Sequence, residues 1–257
     1  MDHNIWFCGD LHGNFARLNA LAVEKRPAAM ILLGDLECVE PLDRVLAPIL
    51  DAGIPLRWIA GNHDSDNDLV FQNSLASGLA PLNIHGRVDT VAGVRIAGLG
   101  GVFRADIWHP DVGVAHASYE DYVKALDASR PSRERGQGPK NMADTHLIKR
   151  NKERTHTTSI FPDVYDQLAA EDADVLVVHE APSCHPNGFA AIDELARAMK
   201  VKRVFHGHHH DRLDYREQWF DMGFKTFGVG LCGITALDGS VVLAGVHDEA
   251  RRSRLAL

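Results

Sequence analysis

Three short apolar runs in the first sixty residues are each followed by a helical pattern. The runs have the length of buried strands and span 4–8, 29–33 and 56–60. Apolar positions then recur with helical spacing from about Phe15, between Leu42 and Ile49, and from about Asp66 to Ser77. This alternation of strand and helix predicts a parallel sheet, which binds its ligands beyond the carboxyl ends of the strands.

The second half of the chain predicts a second sheet. Alternating apolar residues and glycines between Leu82 and Gly101 are typical of hairpin strands. The tail from Lys225 to Val246 alternates in short runs broken by glycine, and we assign it to the second sheet as well. Between these stretches, the pattern predicts helices at about 162–170 and 189–199 and strands at 175–178 and 201–205.

The least regular pattern lies between about residues 104 and 160. Its basic residues are interleaved with proline and glycine, and they are Arg130, Arg133, Arg135, Lys140, Lys149, Arg150, Lys152 and Arg154. Such a segment is compatible with a disordered linker, a solvated helical face or an active-site lid, and a lid would meet an anionic substrate. We therefore predict a single domain over 1–257 with a basic insertion or lid at about 104–160.

Composition narrows the classes of partner. A formal net charge of −8 over 257 residues argues against a broad basic face for long nucleic acids. No apolar run approaches the roughly 20 residues of a membrane span, and the segment before Ile5 lacks the basic region of a signal peptide. The four cysteines are far apart and form no CxxC pair, which is typical of a reducing compartment. We therefore expect a cytoplasmic protein without a membrane partner.

Polar side chains follow the apolar runs. A Gly-Asp pair after one strand is by itself more typical of a turn or a helix cap, but here the arrangement recurs at several strand ends. The set offers oxygen and nitrogen donors and no sulfur, and it comprises Asp10, His12, Asp35, Asn62, His179, His208 and His210. These donors suit a pair of divalent first-row ions if one carboxylate is shared. Two such ions clamp the attacking and leaving oxygens of an in-line displacement at phosphorus.

Five ordered motifs between residues 9 and 210 carry a family resemblance. They are Gly9-Asp10-Leu11-His12-Gly13, Gly34-Asp35, Gly61-Asn62-His63-Asp64, His179 and Gly207-His208-His209-His210. In this order on strand ends, the motifs are similar to those of the calcineurin-like metallophosphoesterase superfamily. The resemblance implies an α/β fold, namely a four-layer α/β/β/α sandwich with two mixed β-sheets flanked by helices. It also implies a dinuclear metal site at the carboxyl ends of the strands.

The resemblance assigns a role to each motif position. One ion would be held by Asp10, His12, Asp35 and His210, and the other by Asp35, Asn62, His179 and His208, so that Asp35 is the bridge. A hydroxide between the metals would attack phosphorus. His63 would be the general acid beside the leaving group, with Asp64 as its orienting partner. The same donors accept manganese, iron, zinc or nickel, and manganese is our first choice for an assay.

Other positions bear on the substrate. His209 lies between two ligand positions, which favours a structural or substrate-facing role over coordination. The phosphoprotein phosphatase branch of the superfamily continues its second motif with Asp-Arg-Gly, whereas Gly34-Asp35 here leads to Leu36-Glu37-Cys38. Because that arginine is missing, a phosphate-binding arginine would have to come from elsewhere, and Arg104 or the basic segment is a candidate.

The resemblance therefore implies a metal-dependent phosphoesterase that hydrolyses a small phosphomonoester or phosphodiester. A nucleotide pyrophosphohydrolase, a nuclease or a phosphoprotein phosphatase of the same superfamily is an alternative. A catalytically silent, metal-bound protein-binding scaffold is another, because a fold does not fix an activity. His63 favours an enzyme, since a binding module has no need for a proton donor beside the metals.

Overall fold

The computed structural model describes residues 4–129 and 142–248. Strands in this part of the chain are β1 (Ile5–Cys8), β2 (Ala29–Leu32), β3 (Leu56–Trp58), β4 (Arg87–Val91), β5 (Val94–Leu99), β6 (Trp108–His109), β7 (Gly113–Val114), β8 (Val175–Val178), β9 (Arg203–His206), β10 (Lys225–Gly228), β11 (Ile234–Ala236) and β12 (Val241–Leu243). The helices are α1 (Ala16–Lys25), α2 (Leu42–Val45), α3 (Ala47–Asp51), α4 (Asp68–Asn73), α5 (Tyr119–Ala128), α6 (Met142–His156), α7 (Pro162–Ala169), α8 (Ala190–Ala198) and α9 (Trp219–Met222).

Ten of these strands form two five-stranded mixed sheets. The first has the order β12-β11-β1-β2-β3, in which β1, β2 and β3 are parallel and β11 pairs antiparallel with β1. The second has the order β10-β9-β8-β5-β4, and only the β4-β5 pair is antiparallel. The parallel strands of both sheets therefore end at edges where the following loops can meet.

Side-chain alternation along the strands sorts the core into layers. In β1, Ile5 and Phe7 belong to the cluster between the sheets, whereas Trp6 and Cys8 pack with residues of α1, α2 and α3. In β8, Val175 and Val177 face the same inter-sheet cluster, and the two alternate residues pack with α7 and α8. Because successive side chains of a strand point to opposite faces, each sheet is covered on both sides. The predicted four-layer sandwich is confirmed.

The tail corrects one sequence prediction. We assigned the whole of Lys225 to Val246 to the second sheet, but only β10 joins it. The later strands cross to the first sheet, where Ala236 pairs with Trp6 and Thr235 with Phe7. A short strand pattern indicates strand but not partner, because the alternation is the same in either sheet.

The basic stretch is more regular than its sequence pattern suggested. Instead of irregular chain, its described part contains the β6-β7 ribbon and the helices α5 and α6. The weak apolar pattern of α6 reflects a solvated helix, with Leu147 and Ile148 exposed and Lys149 paired with Asp127. Of the three alternatives, the described part favours a solvated helical face, and a lid stays a prediction. Four basic residues of the segment lie outside the described residues, namely Arg130, Arg133, Arg135 and Lys140.

One further boundary differs from the expectation. The helix predicted between Leu42 and Ile49 is divided into α2 and α3 at Leu46. Pro48 lies in the first turn of α3, and its ring nitrogen cannot donate a hydrogen bond to a carbonyl of the preceding turn. Within residues 4–129 and 142–248, no helix is long and apolar enough to cross a bilayer.

Aromatic rings join the two sheets at the centre of the core. Phe7 of β1 and Phe205 of β9 stack with ring centroids 3.7 Å apart, and Phe227 of β10 also stacks with Phe205, at 4.9 Å. Phe205 comes one residue before His206, where the strand gives way to the Gly207–His210 turn. The packing of the Phe205 ring therefore helps to fix the position of the Gly207–His210 turn.

Replacement of the central ring tests this packing. Phe205→Ala should lower the free energy of unfolding by about 3 to 5 kcal/mol, because the substitution leaves a cavity between two sheets. Urea unfolding of the metal-free protein measures the change. The control is Phe220→Ala, since Phe220 is 93% exposed and its loss should change stability by less than about 0.5 kcal/mol. Equal effects of the two substitutions would contradict a stabilising role for the Phe205 ring.

Candidate metal centre

The site is built where loops from both sheets converge. Because β1 and β2 are parallel neighbours, the segments after Cys8 and Leu32 leave the sheet side by side. The amides of Leu11 and His12 both donate to the carbonyl of Asp35, at 3.1 and 2.9 Å. From the second sheet, β8 ends before His179 and β9 ends before Gly207. The topology thus brings together side chains that are far apart in sequence.

One group of donors surrounds Asp10. The group consists of Asp10, His12, Asp35 and His210, and each offers an atom within 4.8 Å of the others. The Nε2 atoms of His12 and His210 face each other at 2.9 Å, and Nε2 of His210 lies 3.2 Å from Oδ2 of Asp10. Two imidazole nitrogens and a carboxylate directed at one point form a typical divalent-cation site.

A second group shares Asp35 with the first. It contains Asp35, His179 and His208, whose donor atoms also lie within 4.8 Å of one another. Nε2 of His179 is 3.4 Å from Oδ2 of Asp35 and 3.3 Å from the amide oxygen of Asn62. The structure therefore brings six of the seven candidate ligands into two adjoining groups, and the seventh, Asn62, lies beside the second group.

The two carboxylate oxygens of Asp35 have different partners. Oδ1 accepts a hydrogen bond from the amide of His63 at 2.8 Å, which fixes the carboxylate. Oδ2 lies 3.4 Å from Nε2 of His179 in one group and 4.0 Å from Nε2 of His12 in the other. A single oxygen held between two donor sets is the arrangement that a bridging ligand requires.

Four candidate ligands have strained backbones. His12, Asp35, His208 and His210 have φ values of 41°, 47°, 67° and 56°, in the left-handed region that non-glycine residues avoid. Each such residue costs roughly 1 to 2 kcal/mol. Strain of this kind persists where the surrounding structure fixes it, and it concentrates at functional sites. The turns are thus shaped for the directions of their side chains rather than for local stability.

Hydrogen bonds behind the ligands set their orientation. Nδ1 of His179 lies 2.8 Å from the carbonyl oxygen of Leu33, which only an N–H can satisfy, so Nε2 is directed to the centre. Nδ1 of His12 lies 3.2 Å from Oε2 of Glu37, which directs the Nε2 of His12 in the same way. A carbonyl or carboxylate behind an imidazole is the usual support of a metal-binding histidine.

The electrostatics of the centre favour positive charge. Burial alone lowers the pKa of His179, but the carboxylates of Asp35 and Asp10 outweigh burial and raise that pKa to about 10. Burial likewise opposes ionisation of Asp35, yet His179 and the amide of His63 hold the Asp35 pKa well below its usual range. Burial, reinforced by the charge of His179, lowers the pKa of His208 to about 3 and keeps its ring neutral. The buried carboxylates therefore favour a positive charge on His179 in the metal-free site, and binding of a metal ion there would release that proton.

Asp10 supplies an independent test of whether cations fit. Its side chain is fully buried, and neither carboxylate oxygen accepts a hydrogen bond from any described residue. A buried carboxylate without hydrogen bonds is costly unless a cation compensates for it. The oxygen and nitrogen donors, their directions and a buried carboxylate that accepts no hydrogen bond together fit divalent metal ions.

The surroundings of His63 correct one predicted role. We expected Asp64 to orient the His63 ring, but both Asp64 oxygens are occupied by backbone amides. Oδ1 accepts from Leu36 at 2.8 Å and from Glu37 at 3.1 Å, and Oδ2 accepts from Gly61 at 2.8 Å. Nδ1 of His63 instead lies 2.6 Å from Oδ2 of Asp66. Asp64 therefore ties two motif loops together, and Asp66 is the partner of the ring.

The two candidate substrate contacts are differently placed. His209 stacks on His185 with centroids 3.8 Å apart and an interplanar angle of 11°, and it belongs to neither donor group. This placement favours the structural alternative that we left open for His209. Arg104 donates from Nη1 to the carbonyl of Thr158 at 2.7 Å and to Oγ of Ser159 at 2.9 Å. Those bonds anchor one end of its guanidinium beside the loop that follows α6.

Sequence reasoning missed two residues of the site. Glu37 lies two positions after Asp35, and its oxygens approach Nδ1 of His12 at 3.2 Å and Nδ1 of His63 at 3.5 Å. Asp66 lies three positions after His63, a separation that brings side chains together on a helical turn. That spacing was a usable signal for Asp66. The sequence gave no sign that Glu37 reaches His12 and His63, because that approach depends on its positive φ of 46°.

Comparison with known proteins defines the class. Residues 3–212 match the model of the calcineurin-like phosphoesterase family. The match covers most of the chain, so this protein belongs to that family, as the motifs predicted.

Two individual proteins are similar over their whole lengths. An uncharacterized protein of Haemophilus influenzae is 34% identical over 255 residues, which cover 96% of this chain and 100% of that one. The crystal structure of TT1561 of Thermus thermophilus superposes with a TM-score of 0.51 and 12% sequence identity, covering 95% of this chain and 99% of that one. The second likeness shows the fold alone.

A methyl group placed against Asp10 tests the first donor group. A Cβ on Gly207 would lie 2.3 Å from Oδ1 of Asp10, so Gly207→Ala should displace that carboxylate and weaken metal binding. At a manganese concentration about 100-fold above Kd, the wild type should gain about 2.7 kcal/mol of stability, and the variant should gain much less. Gly78→Ala is the control, because a Cβ there meets nothing within 4 Å. An undiminished gain in the Gly207 variant would place the ion elsewhere.

Proposed function

We propose that this protein is a metal-dependent phosphoesterase that hydrolyses a small phosphomonoester or phosphodiester at a two-ion centre. The observation that carries the proposal is the position of Asp35 Oδ2 between two donor groups that lie next to each other. Two ions side by side are the arrangement that clamps both oxygens of an in-line displacement at phosphorus. Membership of the phosphoesterase family supports the same reaction class.

The residues divide into two ligand sets in the proposed centre. Asp10, His12 and His210 would hold one ion, Asn62, His179 and His208 would hold the other, and Asp35 would bridge them. When bound, the ions supply the nucleophile and the positive charge that stabilises the transition state. Asn62 contributes a neutral oxygen, so the carboxylates do not cancel the charge that the phosphoryl group needs.

His63 is proposed as the proton donor to the leaving group. Its ring lies beside the centre, with its centroid 5.5 Å from that of His12. The bond between Nδ1 and Asp66 leaves Nε2 as the atom that can donate. Burial lowers the pKa of His63, but Asp66 and the charges of Asp35 and Glu37 raise it overall, and a raised pKa suits a proton donor.

A panel of substrates and metals tests the proposal. Aryl phosphodiesters, phosphomonoesters, cyclic nucleotides and dinucleotides should be offered with manganese, iron, nickel or zinc, and at least one combination should be hydrolysed. Asp35→Asn should lower the content of both ions together and abolish that turnover, because it weakens the shared ligand. Loss of a single ion would mean that another residue bridges. Bound metal without turnover of any substrate would favour a silent scaffold.

Removal of the proton donor should depend on the leaving group. His63→Ala should slow hydrolysis of an alkyl ester by about 10²- to 10⁴-fold, the usual effect of a lost general acid. A nitrophenyl ester should lose far less, because its leaving group needs no proton. Metal analysis is the control, and the ion content should stay near that of the wild type. Equal losses on both esters would exclude His63 as the donor.

A further inference from the structure

One nearly buried arginine of helix α6 contacts the segment that follows His63. The side chain of Arg154 is only 11% exposed, although Leu147, Ile148 and Arg150 earlier on the helix are exposed. Burial of a guanidinium is costly unless its N–H groups are matched by acceptors. The acceptors around Arg154 therefore identify the residues that hold its side chain.

The hydrogen bonds of Arg154 go mainly to residues 65–68. Nε donates to the carbonyl of Ser65 at 3.0 Å, and Nη2 donates to the carbonyl of Asp66 at 3.1 Å. Nη1 donates to Oδ1 of Asp68 and, at 2.9 Å, to the side chain of Asn151 on its own helix. A planar fork of donors can hold two successive carbonyls and a carboxylate at once, which a single ammonium cannot do.

The last residues of α6 and the loop that follows them also bind residues 65–68. Oγ of Ser65 lies 2.7 Å from Oγ1 of Thr158 and also donates to the carbonyl of Thr155 at 3.3 Å. The backbone at Ser65 and Asp66 is thus fixed by several bonds from one part of the chain. His63 begins this short turn, and the carboxylate of Asp66 reaches back to its ring.

Comparison with Arg150 shows that the Arg154 contact is more than a surface ion pair. Arg150 lies one turn earlier on α6 and also pairs with Asp68, at 2.6 Å, but its side chain is 62% exposed. Exposed pairs of this type contribute about 0 to 1 kcal/mol, so Arg150 adds little to the contact between α6 and the Asp68 segment. The bonds to backbone carbonyls distinguish Arg154.

We propose that Arg154 is a positioning residue for the proton donor: by holding the carbonyls of Ser65 and Asp66, it keeps the Asp66 carboxylate against Nδ1 of His63. The proposal rests on the proposed function. It gives the basic stretch a role on the leaving-group side of the centre, since α6 would act as a fixed support of the acid. Arg154 itself touches neither the substrate nor the metal ligands in this role.

Leaving-group dependence and a double substitution test the proposal. Arg154→Lys should lower kcat for an alkyl ester by about 10- to 100-fold, the cost of a displaced catalytic group, and leave KM and the nitrophenyl ester nearly unchanged. In the His63→Ala background, Arg154→Lys should cost nothing further, because the two residues act through one proton transfer. Arg150→Ala is the matched control and should behave as the wild type with both esters.

A spectroscopic measurement needs no activity. Long-range ¹H–¹⁵N spectra of the metal-free protein should show the His63 ring held with a proton on Nδ1 in the wild type and in Arg150→Ala. Arg154→Lys should shift the Nδ1 signal, whose assignment comes from its loss in His63→Ala. This arm separates failure of the inference from failure of the proposed function.

Several results would overturn the inference. An unchanged His63 ring in Arg154→Lys would show that Asp66 is placed without the arginine. Equal losses on both esters, or a further loss in the His63→Ala background, would mean that Arg154 supports the centre as a whole. Reduced metal content in Arg154→Lys would lead to the same conclusion, since Asn62 precedes His63 directly.

Discussion

The buried carboxylate of Asp35 is the constraint on which the rest of the centre depends. One of its oxygens accepts the amide of His63, and the other faces His179 and His12 from the two donor groups. Its backbone carbonyl accepts two further amides, from the loop that carries Asp10. Because Asp35 contacts residues of three other motifs, it cannot move without shifting them. It also carries negative charge that burial makes expensive, and that cost is offset when cations occupy the neighbouring donor sets.

Close packing around glycine explains how the motifs reach this arrangement. A Cβ on Gly61 would lie 2.2 Å from Oδ1 of Asp35, and one on Gly34 would lie 2.6 Å from Nδ1 of His179. Glycine at these points lets backbone approach a ligand side chain more closely than any other residue would allow. These two glycines are therefore part of the site, although they offer no donor side chain.

Much of the fold, and the grouping of the candidate ligands, could be predicted from the sequence because strands and helices leave a periodic signal and the candidates follow the strands. Strand ends followed by Asp, Asn or His were visible in the chain, and their order gave the resemblance. Contacts that depend on tertiary structure were not visible. Thr235 belongs to the first sheet because it pairs with Phe7 across the whole chain, and no local pattern encodes that choice. Asp64 and Asp66 have the same chemistry, and only Asp66 has the three-residue spacing from His63 that a helical turn brings together.

The pairing of β11 with β1 has a consequence for the order of events during synthesis. The strand that carries the first motif gains its antiparallel neighbour only when residues 234–236 have left the ribosome. Until then, one edge of β1 exposes unpaired amides and carbonyls, and the histidines after residue 206 reach the ribosome exit late as well. Contacts of such long sequence separation form slowly, because the chain loses loop-closure entropy before the contact can stabilise it. In nascent chains of this protein, Asp10 and Asp35 would therefore lack His179, His208 and His210 for most of translation, and the candidate metal centre would be completed near the end of folding.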